Sequence, residues 1–379
     1  MAATKKSNNG VYLPADLVIE ILLKLPVKSI VRFNCVAKNW YHLLKDPTFV
    51  SQHYRLSKKN SAASLIICYS AKISDKRKIC YSEKNSDKRK IGLMMFGDGK
   101  TSVSHHDLPT DNRNHIDSSI ELTVGDGLVC LYDASMGSCN MALWNPATKE
   151  FRNLPYFYQS GRLVSAIRGR KRNQYTTRLS GYNVEHYVGC GIDPLSNDYK
   201  VLCIRAEFII NKFMIYHYAI YRMSSDSWRV WEKGPSGKRL RKLLKFHLDT
   251  EVFQMMDSPI PGTYGNLMTL PDGLIAFWDS TNKMADITSD KCGIWVLNDV
   301  GNNWTKLINI DLPLGIRRMY GFWMHAIIFE ETAKTAYEYD VETRKFINDV
   351  GIDPAVFHCV YTHEESLLSV GISCKYIHS

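Results

Sequence analysis

Residues 13–52 read LPADLVIEILLKLPVKSIVRFNCVAKNWYHLLKDPTFVSQ. Leu17, Ile21 and Leu25 recur at every fourth position with Val18 and Leu22 beside them, which is the apolar stripe of an amphipathic helix. Pro14 suits a first helical turn, where its missing N–H is not needed, and Asp16 places a negative charge near the positive helix end. Pro26 stops this helix. Ser29 is placed to cap the next one, whose apolar positions are Ile30, Phe33, Val36, Ala37 and Trp40, followed by Leu43 and Leu44. A unit of ~40 residues buries too little surface to stand alone. It also presents more large apolar side chains than one or two short helices can cover. Such a unit packs on the rest of its chain or leaves an apolar patch for a partner.

Outward from this stretch the texture changes. Residues 1–12 are polar and read as a disordered end, and the helical module is expected to span 13–55. Residues 56–118 are charged, and only Leu65–Cys68 and Leu93–Phe96 look like strands there. Within them, CYSAKISDKRKI at 68–79 is followed by CYSEKNSDKRKI at 80–91, a tandem copy differing at two positions. Twelve residues is far below the period of a solenoid unit. A surface loop that tolerates insertion explains the copy; a basic localisation or binding patch is the alternative, since each copy carries Lys-Arg-Lys.

From 119 to 379 the chain is a succession of short runs rich in Val, Ile, Tyr, Trp and Phe, punctuated by Gly, Asn, Asp and Pro. One pattern recurs: a strand, a turn holding Asp or Asn with Ser or Thr, then an aromatic residue opening the next strand. It stands as LWNPATKEFRNLP at 143–155, GIDPLSNDYKVLCI at 191–204, YRMSSDSWRVW at 221–231, FHLDTEVFQMM at 246–256, IWVLNDVGNNWTKLINI at 294–310 and YEYDVETRKFI at 337–347. Asp, Asn, Ser and Thr side chains bond their own turn backbone, and the aromatic covers the neighbouring strand. Sheets repeating every ~40–50 residues indicate propeller blades, with a sandwich as the structural alternative.

Two resemblances carry the functional expectation. The ordered pattern from Leu13 to Trp40, including LP-x-DL, IL-x-x-LP, K-S-I-x-R-F and C-V-x-K-x-W, resembles an F-box. It implies a three-helix module that docks on a Skp-type adaptor and, through it, on a cullin. By position the adaptor-binding residues would be Leu13, Pro14, Leu17, Ile21, Leu25, Pro26, Val27, Ile30, Phe33, Val36 and Trp40. The stretches GLVCLYD…LWNPATKEFRNLP, GCGIDPLSNDYKV and IWVLND…NNWTKL, with the closing YTHEESLLSVG, resemble the kelch-like F-box-associated domain of plant F-box proteins, S-locus F-box-like proteins among them. The implied whole is α+β and multidomain: a helical F-box before an all-β, β-propeller-like substrate receptor of a ubiquitin ligase. Where a further strand pair is expected, only EKGPSGKRLRKLLK (232–245) is present, so either one blade is truncated or residues 237–247 form a helix.

Composition narrows the classes. Apolar residues make up 45% and charged residues 23%, as in ordinary globular proteins. No run reaches the ~18 apolar residues of a membrane span, and the first residues lack the apolar core of a secretory signal. The ten cysteines include no CxxC pair, so zinc spacing is absent and reduced thiols in cytoplasm or nucleus are expected. No phosphate loop, dinucleotide fingerprint or nucleophile elbow is present. His105, His106 and Asp107 read as a loop fragment, and Asp257, Asp272 and Asp279 as turn residues, so no catalytic residue, metal or cofactor is expected. The net charge of +10 lies in clusters at 72–90, 168–172 and 238–242 that lack interleaved aromatics. This favours an acidic protein partner over nucleic acid and disfavours the basic ribonucleases on which S-locus F-box proteins act in pollen self-incompatibility. The long charged loops 156–182 and 232–247 are the candidate substrate contacts, on one rim of the propeller.

Overall fold

The computed structural model describes residues 13–371 apart from 37, 61–63, 71–88, 98–99, 107–119, 134–139, 157–181, 210–211, 232–242, 262–264, 271–272, 280–290, 299–302, 314–315, 324–325, 332–335 and 348–355. Four helices come first: α1 (Ala15–Leu23), α2 (Val27–Phe33), α3 (Lys38–Leu44) and α4 (Pro47–Asn60). Pro14 sits at the N-cap of α1 as its missing N–H predicts. Pro26, not Ser29, occupies the N-cap of α2, and no side chain caps that helix. The expected long second helix divides into α2 and α3 at Asn34–Val36. The fourth helix is the one the three-helix expectation omits. Asp46 opens it, its Oδ1 accepting from the N–H groups of Thr48 (2.8 Å) and Phe49 (3.2 Å) with Pro47 at the first position, a strong start signal. Leu22, Val27, Ile30, Leu44, Phe49 and Val50 form the core among these helices.

The strands follow in chain order. They are β1 (Ser64–Ser70), β2 (Arg89–Gly97), β3 (Lys100–His106), β4 (Ile120–Gly125), β5 (Leu128–Asp133), β6 (Met141–Asn145), β7 (Glu150–Asn153), β8 (Tyr182–Ile192), β9 (Tyr199–Ile209), β10 (Lys212–Arg222) and β11 (Ser227–Trp231). After them come β12 (Leu243–His247), β13 (Val252–Met256), β14 (Gly265–Thr269), β15 (Ile275–Asp279), β16 (Lys291–Asn298), β17 (Asn303–Asp311), β18 (Ile316–Trp323), β19 (Ala326–Glu331), β20 (Ala336–Asp340), β21 (Lys345–Ile347) and β22 (Val356–His363). Among the described residues they make five four-stranded antiparallel sheets and one two-stranded sheet, β12–β13. The inner strands β14, β18, β22, β4 and β8 adjoin one another in that order around an axis, which is the β-propeller the sequence pattern implied.

Closure corrects the expected domain boundary. The first sheet has the order β22-β1-β2-β3, so the last strand among the described residues is the inner strand of the first blade. Strands β1, β2 and β3, which fall in the stretch 56–118 assigned from sequence to a charged segment before the β domain, therefore belong to the propeller. The pairing puts Ile66 opposite Tyr361, and Ile66 is fully buried. The two apolar runs were visible as strands, but the charged stretches around them and a partner strand at the far end of the chain hid that they form a blade.

The recurrent turns obey one physical rule. Lys149, Asn197, Asp226, Glu251 and Arg344 all have φ between 48° and 60°, each placed just before the next strand. The strain of a left-handed non-glycine residue is offset by side chains that bond the turn. Asn145 Oδ1 accepts from the N–H groups of Ala147 (2.9 Å) and Thr148 (3.3 Å), Asp193 Oδ1 from Leu195 (2.9 Å) and Asp340 Oδ1 from Thr343 (2.8 Å). Glycine is required where blades meet at the axis. A Cβ on Gly125 would strike the Cys190 carbonyl, and one on Gly127 (φ 79°) would strike Ser366.

The two-stranded sheet bears on residues 243–247, the part of 232–247 that lies within the described residues. The described part, Leu243–His247, is a strand and not a helix, and among the described residues this blade has two strands. The preceding blade packs against it. Phe253 packs at a tilt against Tyr218 and Phe246 (ring centroids 4.7 Å apart in both pairs), and Phe246 meets Trp231 edge-on at 6.1 Å. At the hairpin turn the buried Lys200 Nζ lies 2.9 Å from Glu251 Oε1, 2.9 Å from Asp193 Oδ2 and 2.7 Å from the Leu248 carbonyl. Arg222 (2.6 Å) and Arg229 (3.2 Å) complete the shell of Glu251. Burial pushes the Glu251 carboxyl up, but bonds from Arg222 and Lys200 outweigh it and hold it below the usual range.

Two predictions follow from these contacts. Glu251→Ala leaves Lys200 short of one partner and frees the β12–β13 hairpin, so it should cost about 3 kcal/mol in chemical denaturation; a loss under ~1 kcal/mol would show that the aromatic contacts alone hold the blade. The second concerns His363, buried at the end of β22, whose Nε2–H donates to the Gly127 carbonyl at 3.2 Å. Burial pushes its pKa down to about 4, against the smaller opposing effect of that bond. The folded state thus holds this ring neutral where the unfolded chain protonates it. Stability should fall as pH drops from about 6.5 towards 4, by about 3 kcal/mol from this group, and a His363→Gln variant should show a flatter pH profile of melting temperature over that window.

Candidate functional site

The helical module seats on one end of the propeller. Inner strands β4, β8, β18 and β22 all finish at this end: the Gly125 position abuts Cys190, Asp126 Oδ2 accepts from Ile192 N–H (2.7 Å), and Thr362 Oγ1 donates to Phe322 O (3.2 Å). Antiparallel alternation then puts the turns after the first and third strands of each sheet here, among them β4–β5, β6–β7, β8–β9, β10–β11, β12–β13, β14–β15, β18–β19 and β20–β21, and sends the turns after second strands and the connections between blades to the opposite rim.

After β22 the chain runs as an extended strap, Glu364–Val370, between the two parts; of the expected closing strand YTHEESLLSVG only the first three residues are strand. Asn145 Nδ2 donates to the carbonyls of Ser366 (2.9 Å) and Leu368 (2.8 Å), Glu150 Oε2 accepts from Val370 N–H (3.0 Å), and Arg152 Nη1 donates to Val370 O (3.1 Å). The other side of the strap inserts Leu367 into the helical core, with Leu368 and Ala147 packed against it. Lys28 pairs with Glu365 at 3.9 Å, a half-exposed contact of small energetic weight. His53, buried on α4, donates from Nε2 to the Leu25 carbonyl (2.8 Å) and pins the α1–α2 turn; burial lowers its pKa, against that bond. The sequence signal for this seat was the Leu367–Leu368 pair, visible but not assignable without the fold.

The eleven residues singled out on the helices divide into three groups. Leu13 (51% exposed), Leu17 (47%) and Ile21 (51%) form an outward stripe on and before α1, and Val36 (62%) projects from the α2–α3 turn. Pro14 and Pro26 are exposed too. Leu25, Phe33 and Trp40 are half-buried, the last two in edge contact with centroids 5.5 Å apart, so they support the surface from beneath. Val27 and Ile30 are corrected: at 1% and 0% exposure they face the helical core and offer nothing to a partner. The i, i+4 stripe could not separate them, because short helices present apolar residues both inward and outward. Tyr41, not singled out, is 42% exposed with the Lys45 ammonium 4.6 Å above its ring.

The rim away from the helices is where the chain enters and leaves its longest connections. Strands β7 and β11 run towards it, and β8 and β12 return from it. The expected loop 156–182 is thereby bracketed by the ends of β7 and β8 on that side; of the expected loop 232–247, residues 243–247 are strand β12 and the rest lies between the ends of β11 and β12 there. The basic clusters at 72–90, 168–172 and 238–242 lie outside the described residues, apart from the start of β2. Of the acidic residues considered as turn formers, Asp279 accepts from Gly293 N–H at 2.6 Å, while Asp272 falls outside the described residues.

A cavity of about 800 Å³ lies on the propeller axis at the end the helices cover. Inner strands β4, β14, β18 and β22 wall it, and Tyr54 and Lys58 of α4 close one side. The Tyr54 hydroxyl faces the carboxylates of Asp126 and Glu364; burial first, then these carboxylates, push its pKa far up. The Glu364 carboxyl is raised by burial, against the opposing charge of Lys58.

Comparison with known proteins agrees with this anatomy. Residues 12–52 match the F-box domain and residues 74–241 the F-box associated beta propeller domain. The Arabidopsis thaliana F-box protein At4g38870 is 31% identical over 333 residues, 80% of this chain and 69% of that protein. A second, At1g47790 of the same plant, is 25% identical over 317 residues, 76% of this chain and 68% of that one. Among solved structures the chain is similar to an oligogalacturonate lyase in complex with manganese, with a TM-score of 0.40 and 11% identity over 75% of this chain and 78% of that one. With an F-box seated on an F-box-associated β-propeller closed by its own last strand, the chain belongs to the plant F-box proteins that carry this C-terminal domain.

Proposed function

We propose that the chain is the substrate-recognition subunit of a Skp–cullin–F-box ubiquitin ligase. The observation that carries this reading is the exposed stripe Leu13–Leu17–Ile21 with Val36, on a module whose opposite side is already occupied by the strap and the propeller. Large apolar side chains left outside a satisfied core mark a partner surface. The adaptor takes that surface and the cullin follows through it. The substrate is a protein that meets the rim away from the F-box, and the net charge of +10 favours one with an acidic contact surface. The chain forms no covalent bond in this role. It raises the effective concentration of substrate lysines near the charged conjugating enzyme, in the cytoplasm or nucleus where such ligases work.

The test is co-purification with a Skp-type adaptor. Wild type should form a one-to-one complex, and a Leu17→Asp, Ile21→Asp variant should weaken it by about a hundredfold or more, as expected for two central apolar anchors. Because both side chains are exposed, circular dichroism and melting temperature should stay near wild type. A soluble, folded wild type that binds no adaptor, or a variant that binds equally well, overturns the reading.

A further inference from the structure

Edge strands of globular proteins carry guards against pairing with other chains: charged side chains, proline or a bulge. The outermost strands of five sheets follow this rule, with Lys100 in β3, Glu150 and Arg152 in β7, Arg229 in β11, Lys306 in β17 and Lys345 in β21. The remaining sheet departs from it. Among the described residues its outermost strand is β13, whose sequence VFQMM has no charge and no proline, and whose pairing with β12 runs without a bulge. Val252 and Met255, on opposite faces by strand alternation, are each 54% exposed. The described chain beyond β13 does not fold back on it: the Asp257 carbonyl accepts the Trp304 indole N–H (3.0 Å) from the next blade, and residues 257–261 are not strand. At the turn before β13, Glu251 is already paired with Lys200, Arg222 and Arg229. A hollow of about 660 Å³ borders the hairpin, lined by His247, Thr250, Val252, Gln254 and Met255 among others.

We propose that β13 is a docking edge for an extended, uncharged segment of a partner protein, with apolar residues at alternate positions, which adds to the sheet as a further strand. Every second residue of β13 turns its N–H and C=O to the open side, and an extended backbone is what matches a row of donors and acceptors at that spacing. Side chains of the incoming strand lie beside Val252 on one face and Met255 on the other. An uncharged strand fits an uncharged edge, because a lysine or a carboxylate placed there would lose water without gaining a partner. The edge is held in place beforehand by Phe253 against Tyr218 and Phe246, so little ordering is left to the binding step. Five residues of edge cover far less than the ~1,200 Å² at which stable complexes of folded partners begin, which fits a flexible segment better than a second copy of this chain. From Val252 at the F-box end, β13 runs towards the opposite rim at Met256, so the docked segment leads to the rim where the substrate is placed. The inference rests on the receptor reading for the segment's being part of the substrate.

The probe is the peptide acetyl-Gly-Val-Thr-Val-Thr-Val-Gly amide, labelled with a fluorophore and titrated with the full chain. Anisotropy should show saturable one-to-one binding with a dissociation constant below ~1 mM. Two N-methylated copies separate strand addition from plain apolar contact. The valine and the threonine amides of an extended peptide point to opposite edges, so methylating one set removes the bonds to β13 and methylating the other leaves them. One copy should bind roughly tenfold or more weaker, and the other nearly as well as the parent. The double variant Val252→Lys, Met255→Lys gives this edge the guard that the other blades have. Both side chains are exposed, so its melting temperature should stay near wild type while affinity for the probe falls about tenfold. No saturable binding, equal effects of the two methylations, or unchanged affinity in the double variant overturns the proposal. So does a wild-type dimer in analytical ultracentrifugation that the double variant abolishes, since that assigns the edge to a second copy. Should the double variant fail to fold, the two methylated peptides on wild type decide alone. Adaptor co-purification reads the receptor proposal separately: a chain that binds adaptor but not the probe loses this inference alone, and one that binds the probe but no adaptor keeps the docking edge and loses the receptor reading.

Discussion

The pairing of β22 with β1 joins the two ends of the β domain, and the position of the F-box depends on it. A ring of sheets has no edge strands at its seam only if the seam is hydrogen-bonded, and here the bond ladder runs from Ser64 opposite His363 to Ser70 opposite Val356. The same closure delivers residues 364–370 to the end of the propeller where α1 to α4 sit. The strap cannot be placed unless the seam is shut, because its first residue follows directly on the last paired one. Its backbone is then held by Asn145, Glu150 and Arg152, from one hairpin of the next blade. Closure, strap and F-box seat are therefore one cooperative unit.

The blade of β12 and β13 shows how such a ring holds a small sheet. Two strands bury too little apolar area for independent stability. The ring remains continuous because the hairpin β12–β13 shares aromatic surface with the preceding blade and anchors its turn on Lys200. Buried charge of this kind contributes little net stability compared with apolar packing. Its effect is on specificity: Lys200 accepts only a placement that brings Glu251, Asp193 and the Leu248 carbonyl within 3 Å together. That fixes the angle of a blade too small to fix its own.

Much of this was legible in the sequence. The Asx turns were, because an Asn or Asp that bonds the backbone two residues on is a local device that needs no tertiary context. So was the F-box, since Pro14 and Pro26 punctuate its helices. The first blade was not, because β1 and β2 sit among lysines and aspartates and their partner strand lies some 290 residues away in the chain. Nor was the inward turn of Val27 and Ile30, which depends on Leu367 arriving from the far end of the chain to complete their core. The axial cavity was invisible for the same reason, being assembled from Asp126, Trp278 and Glu364, none of which stands near another in sequence.

A rigid seat matters for the proposed role in a definite physical sense. A receptor that acts by proximity gains effective concentration only while the distance between its two binding surfaces stays within reach of the reaction, and a loose hinge spreads that distance over unproductive values. Here the F-box is joined to the propeller by the chain between α4 and β1, and also by the returning strap. The two leave the propeller side by side, at the paired Ser64 and His363, and it is the strap's further bonds to Asn145, Glu150 and Arg152 that remove the swivel a single linker leaves. The apolar stripe on α1 and the rim bracketed by β7, β8, β11 and β12 are thereby held at opposite ends of one body. A protein bound at that rim is carried at a fixed separation from whatever docks on Leu17 and Ile21, and that separation is set by the length of the inner strands.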